Sequence, residues 1–526
     1  MRGFLSVKGG APTVLREPNN PVGPQPKGKN VKTKITASVL AVALLLGLLV
    51  WLWGAQAGHF LWSMLRPGLP ALLVGIILAT IAGFVATSLT RGLHSDDRFI
   101  VTAGSMGIAL LVGLIPTLTI VNGYVVPKSY NEIMEEAPAG DLDFRQRVPY
   151  DVATAMSARN LGDTTGDTTG SIKALPAEGD HGQYTTSVIR RGFAQGYEST
   201  QTLSPKLIGS AGAQDVQFCD FGDSATLRLG GGMPRNNLGR AIMWRTSPST
   251  LIDTDDALVR CEDGTPMVYV PLTKLDGSIF LPKRIPGGVA VYNGETGDLQ
   301  IHKELETDLP LYPQSVARNQ REALTRTGSF TDWIFGRSGY EDTSKDGEDP
   351  NGDNRAEFAL ASRDGKQQVH VTPLTSRGSS SSIVALGTTR ADGKITSGQL
   401  NPYVVHKYAD GEPRQATSAI AARITGEVLS GYMASGLTVF EVVPAEEGTW
   451  AATIGKDQAV LYRATIHPDG RIDLVDAKGK DISGTSTSEG SESAPRADKP
   501  LEDMTAAELK SLADDILEEL AGRAGQ

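Results

Sequence analysis

The chain carries only two cysteines, Cys219 and Cys261, and seven histidines in 526 residues. Neither cysteine has a second Cys or a His at the short spacing metal ligands need, which excludes the usual structural zinc sites. His181, His302, His370, His406 and His467 stand singly, with no His-Glu-x-x-His pair. Leu227–Arg240 (LRLGGGMPRNNLGR) has three glycines but lacks the Lys-Ser/Thr of a phosphate loop, so it reads as a bulge or turn. Ser376–Ser382 (SRGSSSS) supplies hydroxyls without a Gly-x-Ser-x-Gly elbow. Neither a helix-turn-helix nor an RNA-binding sheet is recognisable, which excludes nucleic acid as a partner.

Charge is missing from three long stretches: 35–53, 68–89 and 99–121. Each has the roughly 20-residue length a helix needs to cross about 30 Å of hydrocarbon. Three transmembrane helices are therefore expected. Arg2, Lys8, Arg16, Lys27, Lys29, Lys32 and Lys34 precede the first, with only Glu17 opposing. Arg91 and Arg98 lie between the second and third. This bias predicts a cytoplasmic N-terminus and an extracytoplasmic body, in a multi-pass protein of the plasma membrane. Ala55-Gln56-Ala57 resembles a signal-peptidase site, but the run before it exceeds the usual length of a signal core. No span contains an ionisable residue, which argues against a transporter or proton channel. Ala71, Gly75, Ala79 and Gly83 recur every four residues and form a ridge suited to close helix packing, within the chain or against another copy.

The remainder is acidic, in a chain of net charge −10. Residues 124–183 read as stalk and loop, including the doubled Gly-Asp-Thr-Thr of Asn160–Ser171. Residues 184–480 alternate in the manner of strands, separated by Asn-Gly, Thr-Gly and Asp-Gly turns. Val289–His302 and Ala464–Val475 predict hairpins, while Pro313–Thr325 and Ala416–Ala434 predict helices. The fold class is α+β, with a mainly antiparallel sheet region. In an oxidising compartment Cys219 and Cys261 are candidates for one disulfide, with two free thiols as the alternative.

Two stretches resemble each other: ALVRCEDGTPMVYVPLT from Ala257 and ALASRDGKQQVHVTPLT from Ala359. Matched at turns and valines, they set Cys261 opposite Ser362 or Arg363, Tyr269 opposite His370, and Thr372 as a bulge. Their scaffold residues agree while their polar ones differ. The expectation is a structural repeat, two related halves of a sheet about 100 residues apart, rather than a duplicated active site.

Asp349, Asn351, Asp353 and Glu357 alternate like the oxygen ligands of a calcium loop, although Asn354 and Leu360 depart from the EF-hand pattern. A solvated acidic loop is the competing account. Residues 481–500 predict a flexible linker, and 501–526 an amphipathic helix with Leu509, Leu512, Ile516 and Leu520 on one face. That helix either docks on a partner or folds back on its own domain. The whole reads as a membrane-anchored binding or scaffold module for a protein or envelope polymer. The alternatives are an envelope hydrolase with a spatially assembled site and an accessory subunit of a secretion or transport complex.

Overall fold

The computed structural model describes residues 30–482, apart from residues 93, 162–167, 177–181, 193, 206–215, 232–233, 279–280, 343–357, 379–381, 410–413, 416, 429–435, 458 and 477. The calcium-loop candidates Asp349, Asn351, Asp353 and Glu357, nearly all of the linker and the terminal helix lie outside the described residues.

The chain is α+β. Helix α1 runs from Asn30 to Leu89 and α2 from Ser95 to Ile120. The loop expected between the first two apolar runs is helical instead. Ala55, Gln56, Ala57, Leu61, Met64, Leu65 and Arg66 are strong helix formers, and no proline intervenes before Pro67. Among the described residues, Leu65–Leu89 and Ser95–Ile133 are the two helical stretches long and apolar enough to cross a membrane.

From Ala55 onward the chain forms one compact unit. Strand β1 is Met134–Pro138 and helix α3 is Tyr150–Asn160. The first sheet comprises β2 (Thr168–Thr169), β3 (Lys173–Leu175), β4 (Gln183–Ile189), β5 (Tyr197–Leu203) and β6 (Val216–Asp220). After α4 (Leu238–Arg245) the second comprises β7 (Thr250–Ile252), β8 (Leu258–Glu262), β9 (Thr265–Asp276), β10 (Lys283–Asn293) and β11 (Leu299–His302). Strand β12 (Glu304–Thr307), α5 (Gln314–Ala323) and α6 (Phe330–Phe335) follow. The third sheet contains β13 (Tyr340–Asp342), β14 (Phe358–Ala361), β15 (Gln368–Ser376) and β16 (Ser382–Arg390). Past β17 (Gly393–Thr396), which pairs with β12, it adds β18 (Tyr403–Lys407) and β19 (Arg414–Gln415). Helix α7 (Thr417–Arg423) leads to the fourth: β20 (Thr438–Pro444), β21 (Trp450–Lys456), β22 (Ala459–Ile466) and β23 (Ile472–Asp476). Strand β1 joins the third sheet in parallel beside β18, while the other strand ladders are antiparallel. Residues 134–138, 150–160 and 168–175 are thus strands and a helix of the body, not a stalk.

One plan recurs in all four sheets. A central strand (β4, β9, β15, β21) pairs on one edge with the strand that follows it. That following strand bulges by one residue opposite Val188–Ile189, Leu272–Thr273, Leu374–Thr375 and Ile454–Gly455 respectively. On its other edge the central strand takes two short strands: β2 and β3, β7 and β8, β13 and β14. In the fourth sheet one strand, β20, covers both places and shifts register between Val439 and Glu441. A bulge sharpens the local twist, which accounts for the edge partner breaking or kinking at the same level.

The register corrects the alignment of the two similar stretches. Pro271-Leu272-Thr273 and Pro373-Leu374-Thr375 are equivalent, each beside the bulge, with Leu272-Thr273 and Leu374-Thr375 paired with the first of the short edge strands. Thr372 is no bulge; it pairs in register with Gly387. The difference lies in the turn. Glu262 pairs directly with Thr265 across Asp263-Gly264, both at positive φ (48° and 83°) as a two-residue hairpin requires. In the third sheet Ser362 closes on Gln367 instead (N to O, 2.9 Å), so the turn is two residues longer. His370 therefore occupies the place of Val268, not of Tyr269, and Cys261 is matched by Ala361. The same place holds Tyr184 in the first sheet and Trp450 in the fourth, and all four residues are buried.

Successive sheets share cores. Tyr197 and Phe221 pack with Val268 and Tyr292, joining first and second. Leu258 and Val289 pack with Val316 of α5 and Ile395 of β17, which lead into the third. Leu360 and Val371 pack with Ala451 and Ile454, joining third and fourth. Val460 packs with Tyr184 and Leu203, returning to the first. Shared cores thus link the first sheet to the second, the third to the fourth and the fourth back to the first.

Candidate functional site: the polar centre and its cleft

Between β1 and α3, residues 142–149 pass where sheets meet. There the Arg147 guanidinium donates to both Glu441 oxygens (2.8 and 3.1 Å), to the Ala359 carbonyl (3.0 Å) and to the Val148 carbonyl (3.1 Å). It also lies 4.4 Å over the Tyr150 ring. Tyr184 Oη donates to the Val148 carbonyl. This one side chain therefore joins β14 of the third sheet to β20 of the fourth, beside the first. Burial opposes its charge most strongly, but Glu441, Tyr184 and Tyr150 together more than offset that and hold its pKa above the ordinary value. A pair so enclosed positions elements; it is not available to a substrate.

A second buried polar group lies between the first three sheets. Lys173, Asp256, Tyr312, Gln314 and His370 line a cavity of about 10 Å³. One Asp256 oxygen accepts from the Gln314 N–H (3.0 Å) at the start of α5. The other has no hydrogen-bond partner among the described residues. Burial pushes the Asp256 carboxyl up to about 7, against the lowering effect of Lys173. His370 Nε2 faces the Tyr312 carbonyl at 3.4 Å, and burial pushes the imidazole down to about 4. A raised acid and a lowered base side by side are what general acid–base sites display. Here the cavity holds about one water and no more, and no serine, threonine or cysteine is among its described lining residues.

The roomier opening is a cleft of about 450 Å³ lined by Leu175, Gln183, Gln217, Arg260, Asp308 and Lys366, among others. Strands β3, β4 and β6 of the first sheet supply one wall, β8 the second, and the long turn after β14 the third. Arg260 Nη1 meets both Asp308 oxygens at 3.2 Å. Cys261 lines the same cleft and is disulfide-bonded to Cys219, with Cα atoms 5.9 Å apart. The bond ties an edge strand of the first sheet, β6, to a short edge strand of the second, β8. The cleft offers two amides, two cations and one carboxylate, a hydrogen-bonding surface for an extended polar ligand.

The ridge residues lie on α1 facing α2. Ala71 and Ala79 are buried; a Cβ on Gly75 would stand 2.9 Å from the Leu110 carbonyl, and one on Gly83 2.8 Å from Met106 Sδ. Gly113 of α2 answers Gly75, since its own Cβ would fall 2.8 Å from the Gly75 Cα. The partner of the ridge is the same chain. Leu509, Leu512, Ile516 and Leu520, like the calcium candidates, are outside the described residues. Among the described residues no group of three or more His, Cys, Asp and Glu is placed to hold a metal. Nothing in the linear pattern signals Arg147 and Glu441, which are 294 residues apart, or Asp256. A search of protein families, curated proteins and solved structures finds no match for this chain.

Proposed function

We propose that this is a multi-pass plasma-membrane protein whose β-rich body faces away from the cytoplasm and binds a protein or an envelope polymer without transforming it. The basic residues ahead of position 35 favour a cytoplasmic N-terminus, and the uncharged run 35–53 favours a further span in addition to the two long apolar helices. Both outer ends of the α1–α2 hairpin reach the body. His59 Nδ1 meets the Thr250 carbonyl at 2.6 Å, Arg66 donates to the Leu275 and Gly277 carbonyls, and Tyr124 and Lys128 donate to the Gly328 carbonyl. That arrangement suits two crossings that start and finish on the body's side.

The observation that carries the binding reading is the cleft. It is a large polar opening, the one carboxylate among its described lining residues, Asp308, is engaged with Arg260, and the acid–base pair lies sealed elsewhere. A hydrolase of the two-carboxylate type needs both carboxyls in one accessible site. The test is a photo-crosslinking side chain at Gln217 in intact cells. A discrete adduct, lost when Arg260→Glu and Lys366→Glu reverse the cleft's charge, supports the reading. Release of envelope fragments by the purified chain, abolished by Asp308→Asn, would replace it with the hydrolase alternative.

A further inference from the structure

Helix α6 (FTDWIF, Phe330–Phe335) is built with care and buries none of its residues. Ser329 and Asp332 cap it reciprocally, Ser329 Oγ accepting from the Asp332 N–H and Asp332 Oδ2 from the Ser329 N–H. Gly336, left-handed at φ 63°, ends it. Within that rigid turn Phe330, Ile334 and Phe335 are 37, 56 and 64% exposed. Three large apolar side chains in six residues, held in a defined shape toward solvent, are costly for a surface bathed only in water.

Its position says what covers them. Tyr124, where the second apolar helix leaves its uncharged run, stacks edge-on against Phe330 at 5.2 Å and lies 5.3 Å from Trp333. A Cβ on Gly123 would touch the Trp333 ring at 3.3 Å, and Arg326 Nε donates to the Gly123 carbonyl at 2.8 Å. Asn122 Nδ2 reaches the Pro67 carbonyl (3.3 Å), so the ends of both apolar helices stand at one level. At that level Arg66 grips the Gly277 carbonyl, at the start of the turn that carries Leu281, itself 43% exposed. The cations there sit beside aromatic rings: Arg337 is 5.0 Å over Phe335, and Lys128 5.1 Å over Tyr124. Aromatic side chains with a cationic rim, where spans emerge, match the chemistry of the headgroup boundary.

We propose that α6 is an interfacial anchor whose Phe330, Ile334 and Phe335 side chains lie among the lipids of the leaflet facing the β-rich body. Arg337 and Lys128 reach back to lipid phosphates. The anchor fixes how the body, and with it the cleft, is presented above the membrane. Rings and methyls enter about 5–10 Å into the boundary. The inference rests on the reading that α2 spans the bilayer, and the test separates the two.

Both native cysteines are bonded, so one introduced cysteine is a unique label site. The full chain carrying Ile334→Cys, Ile115→Cys or Lys366→Cys is labelled with an environment-sensitive fluorophore. Each is placed in phosphatidylcholine–phosphatidylglycerol nanodiscs containing shallow or deep doxyl lipids. Expected are strongest loss of emission at 334 from the shallow quencher, strongest loss at 115 from the deep one, and loss at 366 only to aqueous iodide. If 334 is open to iodide like 366 while 115 stays protected, the anchor is wrong and the span stands. If 334 is shielded from iodide and from both doxyl lipids, a protein surface covers α6, which equally overturns the proposal. If 115 is open to iodide, the spanning reading fails and the anchor with it.

Discussion

Arg147 and Glu441 form a two-pronged ion pair at 2.8 and 3.1 Å, with side chains only 5 and 6% exposed, linking the incoming chain to the fourth sheet. Removing one partner strands the other charge in the interior. Glu441→Gln or Arg147→Met alone should cost about 3–5 kcal/mol. The double variant Arg147→Met/Glu441→Leu, which leaves no charge behind, should recover most of that loss. Denaturant unfolding followed by tryptophan fluorescence reads all three. Equal losses in single and double variants would show that the pair contributes shape rather than charge compensation.

Asp256 and His370 should make stability respond to pH in opposite senses. The Asp256 pKa is raised, so between 3.8 and about 7 the native state holds a proton the unfolded chain has released. Its contribution falls as pH rises through that window. The His370 pKa is depressed, so between about 4 and 6.5 the unfolded chain binds the extra proton. Its contribution is lost as pH falls. Lys173 beside both favours the ionised Asp256 and the neutral His370. In the wild type these two contributions should nearly cancel from pH 4 to 6.5, with that of Asp256 alone still falling just above it. Asp256→Asn should expose a rise from pH 4 to 6.5, and His370→Gln a fall from pH 4 to 7. Parallel melting curves for all three across this range would refute the assignment.

How much of this was readable in the chain differs by element. The uncharged runs, the hairpins Val289–His302 and Ala464–Val475, and a helix near Pro313 are local patterns, and the structure has helices or strand pairs at each. The recurrence in four sheets was half visible. Pro-Leu-Thr marks it at Pro271 and Pro373, whereas the equivalent residues Ser187-Val188-Ile189 and Thr453-Ile454-Gly455 share only the bulge. A bulge constrains backbone register, and many side chains satisfy it, so it leaves little trace in composition. Buried polar pairs leave still less. Lys173 and His370 come from two sheets and Asp256 from the turn between β7 and β8, and nothing in a linear spacing announces that meeting.

The bond between Cys219 and Cys261 closes a loop of sequence separation 42 across two sheets. Constraining an unfolded loop of that length contributes about 4 kcal/mol in the chain-entropy account. Cys219→Ser/Cys261→Ser should lower the unfolding free energy by that order. Reductant should bring the wild type to the same midpoint and leave the variant unmoved. A wild type indifferent to reductant, at an unchanged midpoint, would mean that the sheets are held by packing alone.

Gly113 and Gly107 offer a matched pair on α2. A Cβ on Gly113 would fall 2.8 Å from the Gly75 Cα and 3.0 Å from Leu78 Cδ1, whereas one on Gly107 meets nothing within 4 Å. Small residues let the two backbones close up, and here close approach is confined to one face. Gly113→Leu should therefore force α1 and α2 apart, at a cost of about 1–3 kcal/mol typical of overpacking. Gly107→Leu adds the same volume to the same helix on its open side and should be near neutral. Thermal unfolding in detergent compares them directly, with Gly75→Val expected to behave like Gly113→Leu. Equal effects at 113 and 107 would show that helix propensity, not the meeting of Gly75 with Gly113, sets the stability of the hairpin.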